Sequence, residues 1–115
     1  MEQKAVQLHK EGFNCCQSVV LAFEEQLPVS REVAEGLAAP FGRGLCGYKE
    51  VCGCVSAIAM VAGLTGNASK AKEMIEQFKA ENGDIVCSRL LQIGGASCRD
   101  RVACAAKIID ATLNK

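Results

Sequence analysis

Val51-Cys52-Gly53-Cys54-Val55-Ser56-Ala57-Ile58-Ala59-Met60-Val61-Ala62-Gly63-Leu64 is the stretch on which the fold turns. It carries no charge, and with Thr65, Gly66 and Asn67 it makes an uncharged run of 17 residues containing three Gly, a Ser and a Thr. That is short of the roughly 20 apolar residues a helix needs to cross a bilayer, so no membrane span is expected. A helix apolar on every side belongs inside a protein. Residues 51–64 therefore read as a buried central helix, begun at Glu50 and closed by Gly63 and Gly66.

The flanking sequence supplies helices to surround it. Lys4 to Glu11 reads as a short helix stopped by Gly12. Asn14 caps a second, in which Cys16, Val20, Phe23 and Leu27 form an apolar stripe before Pro28. Ser30 caps a third that runs to about Ala38. Pro40 to Gly47, with three glycines in eight residues, is a loop whose backbone can turn tightly or pass close to another group. Ser69 is placed to cap an amphipathic helix with Met74, Ile75 and Phe78 inward, ended by Gly83. Asp84 is placed to cap Ile85 to Gln92, broken by Gly94 and Gly95, and Ser97 caps a last helix striped by Cys98, Val102, Ala105, Ile109 and Thr112. No segment alternates as a strand does. The expectation is all-α: one domain, 1–115, of about six or seven short helices around the buried one.

Thirteen Lys plus Arg balance thirteen Asp plus Glu, so composition advertises no basic face, and nucleic acid is not an expected partner. Met1 to Lys10 has neither an apolar h-region nor a small-residue cleavage site, which makes the cytoplasm the expected setting. Thiols stay reduced there. Eight cysteines in such a chain point to metal ligation or redox chemistry rather than to a disulfide scaffold.

The cysteines stand at 15, 16, 46, 52, 54, 87, 98 and 104, and no Cys-x-x-Cys occurs. Zinc ribbons, the clustered ferredoxin run, a thioredoxin motif and c-type haem attachment are thereby removed, so any site is assembled by the fold. Four of the cysteines fall at expected helix starts: Cys15 after the cap Asn14, Cys52 after Glu50, Cys87 after Asp84 and Cys98 after the cap Ser97. Free N–H groups and the positive end of the helix dipole favour a thiolate there. Arg99 and Arg101 beside Cys98 act in the same direction and Asp100 against it. Cys16, Cys54 and Cys104 lie on apolar stripes where a thiol packs as a small hydrophobe, and Cys46 sits in the glycine loop.

Gly12-Phe13-Asn14-Cys15-Cys16-Gln17-Ser18-Val19-Val20, then Phe41-Gly42-x-Gly44 ahead of Cys52-Gly53-Cys54-Val55-Ser56, then Cys87 and Cys98, resemble the small redox-active proteins named for their C, GCAxxG, C, C pattern. The resemblance runs from about residue 12 to residue 104. It implies a compact helical protein with a redox role, related to the N-terminal part of split-Soret cytochromes, where an iron–sulfur centre accompanies haems. With no haem motif here, only the iron–sulfur part carries over. In the preferred register, which takes the motif as Cys-Gly-Ala-x-x-Gly, Cys52 is the motif cysteine, so that Cys54 replaces the motif Ala and Ala57 its second Gly. The other register takes Cys54 as the motif cysteine and loses both. Cys16 likewise stands where Ala is common.

Three functions are in play. The first is electron transfer or redox sensing by an iron–sulfur cluster on Cys15, Cys52, Cys87 and Cys98 as thiolates, with Cys54 also among the cofactor-binding residues. Zinc accepts the same sulfurs but lacks a pre-formed Cys-x-x-Cys half-site. The second is a thiol–disulfide oxidoreductase or redox switch, with Cys98 as nucleophile and Cys104, Cys87 or Cys15 as resolving partner; adjacent Cys15 and Cys16 pair only with strain. The third is soft-metal storage, as with Cu(I). An electron-transfer or metal-binding protein is favoured over a turnover enzyme. A redox partner protein is expected, and a homo-oligomer is allowed. His9, Arg43 and Lys49 read as solvated side chains, and Gly42-Arg43-Gly44 is no phosphate loop.

Overall fold

The computed structural model describes residues 1–114. Its α-helices are α1 (Glu2–Lys10), α2 (Cys15–Ala22), α3 (Arg31–Ala38), α4 (Gly53–Leu64), α5 (Ala71–Asn82), α6 (Cys87–Ile93) and α7 (Cys98–Leu113). Single 3-10 turns lie at Glu24–Gln26, Ala39–Phe41 and Ala68–Lys70. The fold is all-α, as the sequence leads one to expect. Among the described residues the one extended pairing is an isolated antiparallel bridge between Val51 and Val86.

The helix α4 is the centre. It packs on α2, α5 and α7, and Val55, Ala57, Ile58, Val61 and Ala62 are buried with Phe23, Phe78, Met74, Leu90 and Ile109 in one core. Among the described residues no helix is long and apolar enough to cross a membrane. Phe23 and Leu27 do lie in the core, but α2 ends at Ala22, and the 3-10 turn that follows carries Leu27 back to the same side.

Three expected caps are present. Asn14 accepts from the Gln17 N–H at 2.9 Å while the Gln17 side chain accepts from the Asn14 N–H. Ser97 and Asp100 form the same reciprocal pair at the start of α7, and Ser30 accepts from the Val33 N–H.

Other boundaries shift. The first helix starts earlier than Lys4. The central helix begins at Gly53, not Glu50, because residues 49–52 are drawn out against 85–88: Cys52 N–H donates to Ile85 O, Cys87 N–H to Glu50 O and Ser88 N–H to Lys49 O. The same contact delays α6 to Cys87, and Asp84 instead satisfies the N–H groups of Ile85 and Val86. Ser69 does not cap α5, because it lies inside the preceding 3-10 turn.

Candidate redox site

Three local devices bring helix ends together. The first joins α2 to α4 at Gly53: a methyl group there would fall on Cys15 Sγ and stand 3.0 Å from Phe41 O and 3.2 Å from Cys16 N. Only the missing side chain lets the Cys15 sulfur reach the start of α4. The second is the 49–52 to 85–88 contact, which ties Cys52 to Cys87. The third joins α6 to α7, through Arg101 Nη2 donating to Leu90 O at 2.9 Å.

The result is a cavity of about 420 Å³ whose lining includes Cys15, Cys52, Cys54, Cys87 and Cys98. These are the five sulfurs that the sequence nominates for a cofactor, drawn from four separate segments. Cys52 and Cys54 are buried, Cys15 and Cys87 half-buried, and Cys98 is exposed; all eight cysteines of the chain are free thiols. The rest of the lining includes Phe13, Leu90 and Leu91, the cations Arg43, Lys49 and Arg101, and His9, but no Asp or Glu.

The three remaining cysteines are not among the lining residues. Cys16 is fully buried, with its sulfur 3.9 Å from Met60 Sδ. Cys46 is exposed in the glycine loop. Cys104 donates to Glu81 Oε2 at 3.1 Å and accepts from Asn82 Nδ2; burial, foremost, pushes its thiol up to about 11. Six residues apart on α7, Cys98 and Cys104 are separated by about 9 Å of helix rise, too far for a disulfide while the helix is intact.

Arg43, Lys49 and His9 also line the cavity, and Arg43 and Lys49 are exposed, as the sequence leads one to expect. His9 is half-buried, its Nδ1 accepting from Arg99 Nε at 3.2 Å, and burial and then Arg99 lower its basicity. Arg43 and Lys49 arrive on a strained loop. Arg43, Leu45, Cys46 and Lys49 all have φ between 52° and 68°, the left-handed region, at a cost on the order of 1–3 kcal/mol each. Gly44, at φ 71°, is required where the loop closes, since a side chain there would meet the backbone of Lys49 and Glu50. The loop is held by Cys46 N–H to Pro40 O and Glu50 N–H to Gly44 O, and Asn14 Nδ2 donates to Ala39 O at its root. No sequence signal marks four left-handed non-glycine residues.

The sulfurs are electrostatically unequal. The Cys54 thiol donates to Cys15, and the N–H groups of Arg43, Cys16 and Cys15 add to it, so that Cys15 drops to about 6 despite burial. Cys52 is lowered chiefly by the same Cys54 thiol, with help from the N–H groups of Cys54 and Val55. Cys54, the shared donor, is held far above the usual thiol range, as hydrogen bonding and burial both favour its protonated form. Cys87 departs from the expectation for a helix start. Its thiol is raised, by burial first and then by the charges on Cys52, Cys15 and Cys98, and its own N–H is spent on Glu50 O.

The family described as "Putative redox-active protein (C_GCAxxG_C_C)" matches residues 13–112. The chain belongs to this family. No characterised protein and no solved structure matches it significantly. Family membership identifies the chain as a redox-active protein, and the cavity is where its cysteines gather.

An iron–sulfur centre can be weighed against this donor set. Among the described residues no three Cys, His, Asp or Glu stand together so as to hold one ion. A single zinc needs its sulfurs all at about 2.3 Å from one point. A cluster asks less convergence, since its thiolates bind different irons, and a lining with five sulfurs, three cations and no carboxylate suits its charge.

The depressed Cys15 thiol has a measurable consequence. In the reduced, metal-free protein, the rate of iodoacetamide labelling at Cys15 is expected to be half-maximal near pH 6 and flat above pH 7, because the thiolate is the nucleophile. Since this pKa is below the unfolded thiol value, the stability Cys15 contributes is full above that value and is lost as pH falls through about 6. Urea midpoints should therefore fall in that direction.

Proposed function

We propose that the protein carries electrons, or senses redox state, through an iron–sulfur cluster held in the cavity by Cys15, Cys52, Cys87 and Cys98. The observation that supports this reading is the gathering of cysteines from four segments in one cavity that also has three cations and no carboxylate. When bound, the cluster supplies a one-electron couple. Cys15 and Cys52 meet it already biased toward thiolate. Cys87 gives up its proton on ligation, as any coordinating thiol does. Cys54 keeps its one proton, shared between the two sulfurs beside it, and buried Leu90 with half-buried Phe13 restricts water.

Anaerobic purification and reconstitution with ferrous iron and sulfide should give a coloured protein with iron and acid-labile sulfide in fixed ratio to chain. A colourless protein with free thiols and no iron would overturn this reading. The depressed Cys15 thiol with Cys54 beside it in the same cavity favours a second one, a thiol–disulfide switch in which the nucleophile is Cys15 rather than Cys98 and Cys54 resolves. Its mark is an iron-free protein in which mild oxidants produce a reproducible disulfide at Cys15.

A further inference from the structure

We propose that Arg101 is the buried counter-cation of the sulfur site and raises its redox midpoint by stabilising the reduced form. This rests on the cavity being a redox centre, but not on which of the two chemistries it performs. Arg101 stands in the first turns of α7, three residues after Cys98, and its side chain is only 3% exposed. It lines the cavity, and while Nη2 donates to Leu90 O, the Nε–H is buried with no hydrogen-bond partner.

A guanidinium so deeply placed carries a desolvation penalty that an anion facing it would offset. Among the described residues no carboxylate pairs with Arg101. Asp100 feels its charge, but that carboxylate is exposed and engaged by the Ser97 N–H. The groups lining the cavity that can carry negative charge are its sulfurs. The unpartnered Nε–H and the sulfur-lined wall are thus two halves of one charge arrangement.

Reduction makes that wall more negative under either chemistry. A cluster takes one electron from a one-electron donor and no proton need follow. A disulfide takes two electrons from a thiol reductant, its S–S bond breaks, and the two sulfurs leave as thiolates or pick up protons from water. A fixed positive charge in a site screened from solvent favours the reduced side in both cases. Arg43 and Lys49 act in the same sense from exposed positions, where water screens them.

The test compares wild type, Arg101→Met, Arg101→Lys and Lys49→Gln. Reconstituted proteins are titrated with dithionite and mediator dyes by visible absorbance. If wild type takes up no iron, the same proteins are equilibrated in glutathione buffers and their thiols counted by mass. At the poise where wild type is half reduced, Arg101→Met should show about ten oxidised sites per reduced one, a fall of about 59 mV for one electron or about 30 mV for two. Arg101→Lys should stay within about twofold of wild type, and Lys49→Gln should move less than Arg101→Met. Should methionine prevent folding, Arg101→Gln, which keeps a hydrogen-bond donor, carries the same expectation. A folded neutral variant with an unchanged midpoint would overturn the proposal, as would Arg101→Lys shifting as far as Arg101→Met. Iron content decides the cluster reading separately.

Discussion

Gly53→Ala is expected to destabilise the protein by about 3 kcal/mol and to displace the Cys15 sulfur, although alanine is the better helix former. The sign comes from what the new methyl meets. Cys15 Sγ could swing away, but Phe41 O at 3.0 Å and Cys16 N at 3.2 Å are backbone atoms that move only with their segments. Gly63→Ala is the internal control. It lies in the same helix with nothing within 4 Å, and should stabilise by about 0.5–1 kcal/mol. Urea denaturation of the two variants measures the contrast, and the labelling rate of Cys15 at pH 7 reports the site. Equal stabilisation by both would mean that the α2–α4 contact at Gly53 is not tight. The glycine between Cys52 and Cys54 thus has a physical duty, which is to admit a sulfur from another helix.

The fold was legible where its causes are local. The uncharged run at 51–64 and the caps Asn14, Ser30 and Ser97 each need only neighbouring residues to act, and α2, α3, α4 and α7 follow from them. Ser69 and Asp84 show the limit. Either residue type can cap a helix, but Asp84 is committed to a turn and α6 waits for Cys87, whose N–H is claimed by Glu50 O from 37 residues away. No local pattern contains that bond. For the site, helix starts singled out four sulfurs without revealing how unlike they are. A helix dipole favours thiolate at all four, but burial and then the charges of the neighbouring sulfurs also act, and Cys87 is pushed the opposite way from Cys15. Arg43 and Lys49 are the surface charges they read as, but nothing in a glycine loop shows that it folds back onto the cavity.

Serine substitution should sort the cysteines by what they do. On the proposed reading, replacing Cys15, Cys52, Cys87 or Cys98 with Ser exchanges a soft thiolate for a hard, poorly ionised oxygen, and bound iron should fall by ~10-fold or more. Cys46→Ser and Cys104→Ser should keep their iron, since neither residue lines the cavity. Cys16→Ser should also keep it but lose roughly 1–3 kcal/mol of stability, because it buries a hydroxyl where a thiol met only Met60 and apolar core. Cys54 is the decisive position. As a protonated donor rather than a ligand, it can become Ala with iron content preserved, while the hydrogen bond that holds Cys15 near 6 disappears and the labelling midpoint of the metal-free protein climbs. If Cys54→Ala instead empties the protein of iron while Cys52→Ser does not, the ligand is Cys54, and the motif cysteine must be read two residues along the chain, as Gly53-Cys54.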